Sequence, residues 1–297
     1  MYRNSAVNGK NDYAQYRVEQ EMPLLEFLFT AVKESKNKIK LTLKGRGVKV
    51  NGKVVTQFDY PLVPGMRVAV SRSKRNDTFK SRYVKIVYED RWLVVVEKNI
   101  GILSMAAGHS SLNVKSVLDD YFAKSRQKCR AHVVHRLDRD TSGLMMFAKN
   151  VEAKEAMQHN WNNMVLGRRY VAVVEGKVEQ EEGVVKSYLA ETSQFEVYST
   201  QNPDEGQLAI TRFKRLQCNN GYSLMELSLD TGRKNQIRVH MKDLGHPIVG
   251  DRKYGAKASP IHRLGLHART LHFAHPVTKK EMLFETPIPS RFLSLLK

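Results

Sequence analysis

Cysteine is nearly absent from this chain of 297 residues, which has only Cys129 and Cys218 and no CxxC spacing. That excludes a disulfide framework and a zinc knuckle. No apolar run approaches the roughly 20 residues that a membrane-spanning helix needs. The first residues, Met1-Tyr2-Arg3-Asn4-Ser5, are polar and lack the hydrophobic stretch of a secretory signal, so a bacterial-type cytoplasm is the expected location, with no membrane partner. Gly245, Gly250 and Gly255 are too widely spaced to cradle a phosphate, no GKS/T accompanies them, and they read as turn glycines. His267, His272 and His275 invite a metal reading, but no Cys or carboxylate cluster completes a ligand set, and Leu271 and Phe273 alternate among them as in a strand. No metal is expected.

Acidic residues are also scarce: 30 Asp and Glu face 49 Lys and Arg, a formal net charge of +19. Such an excess favours a polyanionic partner, because basic side chains displace condensed counterions when they meet phosphates. The surplus is concentrated early, residues 1–85 holding 18 basic and 7 acidic side chains. A hydrophobic content of 41% still supports a core, and the length suits one large domain with a small one.

What is present can be taken in chain order. Residues 1–16 are polar, lack periodicity and read as a flexible tail. From Pro23, the spacing of Leu24, Leu25, Phe27, Leu28, Phe29 and Val32 predicts a short amphipathic helix. Ser35 or Asn37 can cap a second helix, which projects Lys36, Lys38, Lys40 and Lys44 and stops at Gly45 and Gly47. Val48 to Val55 reads as a hairpin turning at Asn51-Gly52, and Pro64-Gly65 turns into a strand over Met66 to Val70. A short basic helix braced by a hairpin can lie along a phosphate backbone; the plainer alternative is a small solubilising or interdomain module. Residues 73–83 read as a linker.

A second domain, 84–297, opens with two β-branched runs around Asp90. Helices are expected over Asn113 to Phe122 and Val151 to Met164, and strands over Arg169 to Gly176 and Tyr222 to Leu229. Without strict βαβ alternation, this is an α+β domain on a mainly antiparallel mixed sheet with flanking helices, preceded by a small α/β domain. At its centre lies His135-Arg136-Leu137-Asp138-Arg139-Asp140-Thr141-Ser142-Gly143, between the apolar runs Val133-Val134 and Leu144 to Ala148. So many polar groups between buried segments must pair with each other or with a ligand. Thr141 and Ser142 read as loop-shaping hydroxyls that satisfy backbone groups, and Gly143 as a residue of positive φ.

The "HRLDRDTSGL" stretch at 135–144 resembles the signature of the RluA-type pseudouridine synthases. The resemblance continues in order through "RRYVAVVEG" at 168–176, "TGRKNQIRVHMKDLGHPIVGDRKYG" at 231–255 and "LGLHARTLHFAHP" at 264–276, with Lys98 and Gly101 where the family has Lys-Pro-x-Gly. Residues 17–72 similarly resemble an S4-type RNA-binding domain. The family implies isomerisation of uridine to pseudouridine in RNA, without cofactor. Asp138 matches its catalytic aspartate, Arg238 the arginine that pairs with that carboxylate, and Tyr170 the tyrosine that stacks on the target base. Substrate contacts are expected from His135, from Arg136 beside the flipped nucleotide, from Arg233 (which can instead structure the turn at Gly232), and from Lys36, Lys40 and Lys44. Two departures, Asn99 for the family's proline and Lys234-Asn235 for Thr-His, bear on substrate identity. The implied partner is RNA, ribosomal or alternatively transfer RNA, met by a monomer. The rival readings are a catalytically idle RNA-binding or ribosome-assembly factor, and a glycoside hydrolase using Asp138 and Asp140 as its carboxylate pair.

Overall fold

A computed structural model describes residues 13–45, 47–71, 79, 81–105, 112–219 and 221–297. The chain divides into two compact units, Met1–Thr78 and Phe79–Lys297.

The first unit follows its sequence pattern closely. β1 (Tyr13–Arg17) leads to β2 (Met22–Pro23), α1 (Leu24–Ala31) and α2 (Lys36–Lys44), then to β3 (Val48–Val50), β4 (Lys53–Val54), β5 (Pro61–Leu62) and β6 (Arg67–Ser71). The main sheet has the order β1-β6-β3-β4, and β2 pairs with β5. Leu24, Phe27 and Leu28 of α1 and Ile39 and Leu43 of α2 are buried in one cluster with Val48, Val50, Val68 and Val70. That is the i, i+3, i+4 stripe expected of a helix lying on a sheet. Ser35 caps α2, its hydroxyl accepting from the Lys38 amide at 3.4 Å. Asn51 (φ 48°) and Gly52 (φ 82°) are both left-handed, as a two-residue hairpin turn requires.

Two boundaries need correction. The tail expected over 1–16 ends earlier, because Tyr13 to Tyr16 pair with Ser71 to Val68; residues 1–12 lie outside the described residues. Of the linker expected over 73–83, residues 73–78 and 80 lie outside the described residues. Phe79 and Tyr83, however, pack on the core of the second unit.

The second unit is built on one sheet. Its elements are β7 (Val84–Glu89), β8 (Leu93–Lys98), α3 (Val114–Lys124), β9 (His132–Val133), β10 (Ser142–Ala148), α4 (Val151–His159), α5 (Trp161–Met164), β11 (Val165–Glu175), β12 (Glu182–Glu191), β13 (Val197–Thr200), β14 (Gln207–Asn219), β15 (Tyr222–Leu229), α6 (Gln236–Asp243), β16 (Leu266–Ala274), β17 (Glu281–Glu285) and α7 (Ser290–Leu293). The strands run β13-β12-β14-β15-β11-β16-β10-β8-β7, with β17 beside β16 and β9 beside β10. β10 and β16 are parallel, whereas every other pair is antiparallel. The single helix expected over Val151 to Met164 is instead two, broken at Asn160 (φ −112°, ψ 28°). Apolar spacing carries across this break, since Ala153 and Met157 before it and Trp161 after it pack on one cluster.

The sheet's centre fixes the reactive stretch. Gly143 enters β10 at φ 117° and pairs with Lys98 on one side and Ala268 on the other. A Cβ at Gly143 would lie 2.2 Å from the Ala268 carbonyl oxygen, so only glycine fits. Ala268 in turn pairs with Tyr170 of β11 next to a register shift. The loop ending at Thr141 and the Tyr170 strand are therefore one strand apart at the middle of the sheet.

Candidate active site

The loop that carries Asp138 is pinned on both sides by backbone bonds. The Ser104 hydroxyl donates to the Leu137 carbonyl at 2.7 Å and accepts from the Leu137 amide at 3.0 Å. The Gly101 amide donates to the Arg139 carbonyl at 3.0 Å, and the Thr141 amide to the Asp138 carbonyl at 3.2 Å. Beneath it lies Lys98, fully buried at the end of β8, whose ammonium donates to the carbonyls of Asn99, Ile102 and Arg139, each at 2.9 Å. Burial pushes its pKa down to about 8, against the pull of Asp140 and Asp138. Lys98 is thus a charged clamp that ties the segment after β8 to the Asp138 loop.

Asp138 lines a cleft of about 200 Å³ with Arg136, Leu137, Thr141, Arg168, Tyr170, Leu229, residues 232–238 and Leu266. A larger groove, about 770 Å³, belongs to the first unit between Leu25, Lys40, Leu43, Lys44, Val54, Thr56 and Phe58. It holds no carboxylate, so the smaller cleft is where acid–base chemistry can occur.

Arg238 projects from α6, with its nearest guanidinium nitrogen 3.9 Å from the Asp138 carboxylate. Its principal partner, however, is Asp251: Nε donates to one carboxylate oxygen at 2.7 Å and Nη2 to the other at 2.8 Å. Asn235 accepts from Nη1 at 3.0 Å, and the Tyr254 ring lies 4.8 Å under the guanidinium. The pairing with Asp138 anticipated from sequence is therefore a longer, shared contact, and the two-toothed ion pair belongs to a buried carboxylate 1% exposed. Asn235 itself sits in the left-handed region (φ 54°) just before α6 and donates to the Tyr254 hydroxyl at 3.0 Å.

Among the described residues, the Asp138 carboxylate accepts no hydrogen bond, the Tyr170 hydroxyl makes none, and the buried Thr141 hydroxyl has none. Burial raises the Asp138 pKa against the pull of Arg238, Arg136 and Lys98, with Asp251 pushing the same way as burial. It also raises that of Tyr170. An unmet buried polar group costs ~1–3 kcal/mol, and of the three only the Thr141 hydroxyl is fully buried, so it is the one that most needs a ligand in this cleft.

The other site residues fall out as follows. Arg136 and Arg233 line the cleft; the Arg233 Nε also donates to the Leu208 carbonyl at 3.1 Å, while its amide donates to Gln236 and so shapes the turn. His135 does not line it. Its Nε2 accepts from the Met146 amide at 3.0 Å and its ring leans on Trp161, so its role is to bind the loop to β10. Ser142 and Thr141 do not satisfy backbone groups: the Ser142 hydroxyl lies 2.7 Å from His267 Nδ1 and accepts from Arg263 at 2.6 Å, and Thr141 faces the cleft. Asp140, the other carboxylate of the glycoside-hydrolase reading, is exposed and lies outside the cleft lining. Of the histidines considered for metal, His267 bonds Ser142 and Thr286, His272 pairs with Glu281, and His275 with Asp90. Lys36, Lys40 and Lys44 are exposed and repeat every fourth residue along α2 of the first unit.

Sequence reasoning left Asp251, Thr141, Lys98 and Arg168 without these roles. Arg168 lies 5.4 Å over the Trp161 ring and donates to the carbonyls of Leu229 and Thr231 at 3.4 Å each, walling the cleft. The available signal was indirect, since all four lie inside or beside the segments that carry the family resemblance.

Comparison with known proteins gives the family. The family model for RNA pseudouridylate synthase matches residues 92–243. An uncharacterized RNA pseudouridine synthase of Bacillus subtilis, YjbO, is 35% identical over 258 residues, covering 85% of this chain and 90% of its own. Ribosomal large subunit pseudouridine synthase D of Escherichia coli K12 is 30% identical over 281 residues, covering 89% of this chain and 86% of its own. The solved structure of human RNA Pseudouridylate Synthase Domain Containing 4 aligns with a TM-score of 0.59 at 25% identity, over 71% of this chain and 92% of that one. The chain belongs to the RNA pseudouridylate synthase family, whose members are isomerases.

Proposed function

We propose that this chain converts particular uridines of ribosomal RNA to pseudouridine, with Asp138 as the group that acts on the flipped nucleotide. In the net reaction the bond from N1 to C1′ breaks, C5 bonds to C1′, C5 releases its proton and N1 gains one. The base must leave its stack and stay out of water while it turns. The observation that carries the reading is the convergence on one cleft of a carboxylate, a tyrosine hydroxyl and a buried threonine hydroxyl, all three without hydrogen bonds among the described residues.

Each neighbour has a task that its geometry suits. Arg238, held by Asp251 and Asn235, keeps a fixed positive charge 3.9 Å from Asp138 and favours its ionised form. Tyr170 offers a flat ring for the uracil. Thr141 offers a hydroxyl to the nucleotide, and Arg136 and Arg233 offer cations at the cleft to the flanking phosphates. The reading takes the protein to act as a monomer. The first unit, with Lys36, Lys40 and Lys44 aligned on α2, acts as an S4-type module that holds the RNA by its backbone. The name of the Escherichia coli relative supports ribosomal over transfer RNA.

The test is tritium release from [5-³H]uridine-labelled ribosomal RNA by purified protein. Release by the wild type and none by Asp138→Asn is expected. RNA binding without release by the wild type would mark an idle factor, and pseudouridine mapping in a deletion strain would name the uridine.

A further inference from the structure

The most exposed large hydrophobic side chain described is Phe195, 72% accessible. It lies in the turn between β12 and β13, where water gains nothing from a bare aromatic ring. Its backbone is held in the left-handed region at φ 61°, which an aromatic residue enters only at a cost. Three bonds fix that turn: the Thr192 amide donates to the Glu196 carbonyl at 2.8 Å, the Phe195 amide to the Thr192 carbonyl at 2.9 Å, and the Glu196 amide to the Thr192 hydroxyl at 3.2 Å. The ring is therefore presented outward on a built turn.

Two lysines connect it to the catalytic cleft. The Lys234 ammonium lies 5.6 Å over the Phe195 ring, and Lys234 itself lines the cleft just before α6. The Lys253 ammonium donates to the Phe195 carbonyl at 3.3 Å and lies 5.9 Å from the Tyr254 ring, whose other neighbour is the Arg238 guanidinium. Lys234 also pairs with Glu191, and Glu196 is exposed beside the turn, so the local charge is mixed rather than uniformly basic. A flat ring with ammonium groups beside it matches a nucleotide, whose base stacks while its phosphate meets the cation.

We propose that Phe195 is a stacking platform for an unpaired base that flanks the target uridine, with Lys234 and Lys253 on the adjoining phosphates. This rests on the reading that the cleft acts on RNA, and it makes the β12–β13 turn a determinant of which uridine is chosen. Lys234 stands at one of the two departures from the family pattern, as a specificity device would.

The experiment uses the full chain and has two arms. In the first, tritium release is measured on ribosomal RNA for wild type, Phe195→Ala and Phe195→Tyr. The alanine variant is expected to raise KM about fivefold or more while moving kcat less, and tyrosine to restore it. In the second, Phe195→Trp is titrated with a uridine-containing single-stranded oligoribonucleotide, the wild type supplying the background of Trp92 and Trp161. Added emission quenched by RNA is expected. An unchanged KM in Phe195→Ala overturns the platform and leaves the isomerase reading intact. So does added emission in Phe195→Trp that is indifferent to RNA which filter retention shows to be bound. Quenching by RNA with no tritium release from any RNA by wild type does the reverse. Quenching by a co-purifying protein but not by RNA also overturns the platform.

Discussion

The two units carry positive charge in opposite ways. On α2 of the first unit, Lys36, Lys40 and Lys44 are exposed, one turn apart, over a helix face whose apolar side is buried. In the second unit, Lys98 is fully enclosed and Arg238 is 16% exposed; Lys98 gives all three of its hydrogens, and Arg238 three of its five, to named protein acceptors. The first arrangement keeps charge hydrated until a polyanion arrives, so it suits affinity without much geometric demand. The second has already met the cost of desolvation and holds its charges in one orientation, so it suits chemistry. Removing a charge from each should therefore have unequal consequences.

The largest expected effect is at Asp138. Asp138→Asn keeps shape and removes the charge that faces Arg238 at 3.9 Å, so tritium release should fall on the order of 10²–10⁴-fold or more while RNA retention on filters is preserved. On the proposed role the ionised carboxylate is the active form, and burial raises its pKa. The rate should accordingly fall as pH drops through a value above the ordinary carboxylate range, and a kcat profile flat down to pH 4 would contradict that assignment.

Next in size is Asp251→Asn. It leaves the partly buried Arg238 guanidinium without its two-toothed partner, and breaking such a pair costs up to ~3–5 kcal/mol of stability. Both the melting temperature and kcat should drop, with KM changing less. A variant that loses stability but keeps full kcat would show that Asn235 and Tyr254 alone can hold Arg238.

That ranking could not have been read from the sequence, for a physical reason. Helix periodicity, the Ser35 cap and the Asn51-Gly52 turn are local signals, and they gave the first unit's elements nearly as they stand. β1 was missed because an edge strand with half-exposed Tyr13, Ala14 and Tyr16 has no clean alternation. The order of motifs placed Asp138, Tyr170 and Arg238 in one site, and the cleft brings all three together. It did not rank Asp251 above Asp138 as the partner of Arg238, because that depends on where the segment after α6 crosses it. Nor could it show that Lys98 serves three carbonyls, since backbone acceptors leave no mark in side-chain pattern.

A smaller effect separates the units by acid. Burial holds His135 down to about 3, and His240 and His267 down to about 4, all in the second unit. The unfolded chain binds protons at these residues near about 6.5, so between that value and 4 the unfolded state carries more protons. The stability they contribute is complete above 6.5 and is lost as pH falls through the folded values, at most ~1.4 kcal/mol per pH unit per histidine. Chemical denaturation followed at pH 7, 6, 5 and 4 should show this loss. His267→Gln, which keeps a polar group between Ser142 and Thr286, should flatten part of the slope.

The mildest consequence is expected where charge is most exposed. Replacing Lys36, Lys40 and Lys44 together by Gln removes three exposed cations, at the cost of the contact between Lys36 and the Phe29 ring at 5.5 Å, and keeps the buried Ile39 and Leu43. Folding should be nearly unaffected, since surface changes of this kind stay within roughly 0.5 kcal/mol. If all three lie on phosphates, the logarithmic salt dependence of RNA binding should shallow by about 2 on a single strand and somewhat more on a duplex. KM should rise most at low salt, and kcat should hold, because no residue of the cleft has moved. A triple variant with the wild-type salt slope would place the RNA on another face of the first unit. A fall in kcat instead would mean that this unit orients the substrate in the cleft, and the division between a unit for affinity and a unit for chemistry would fail.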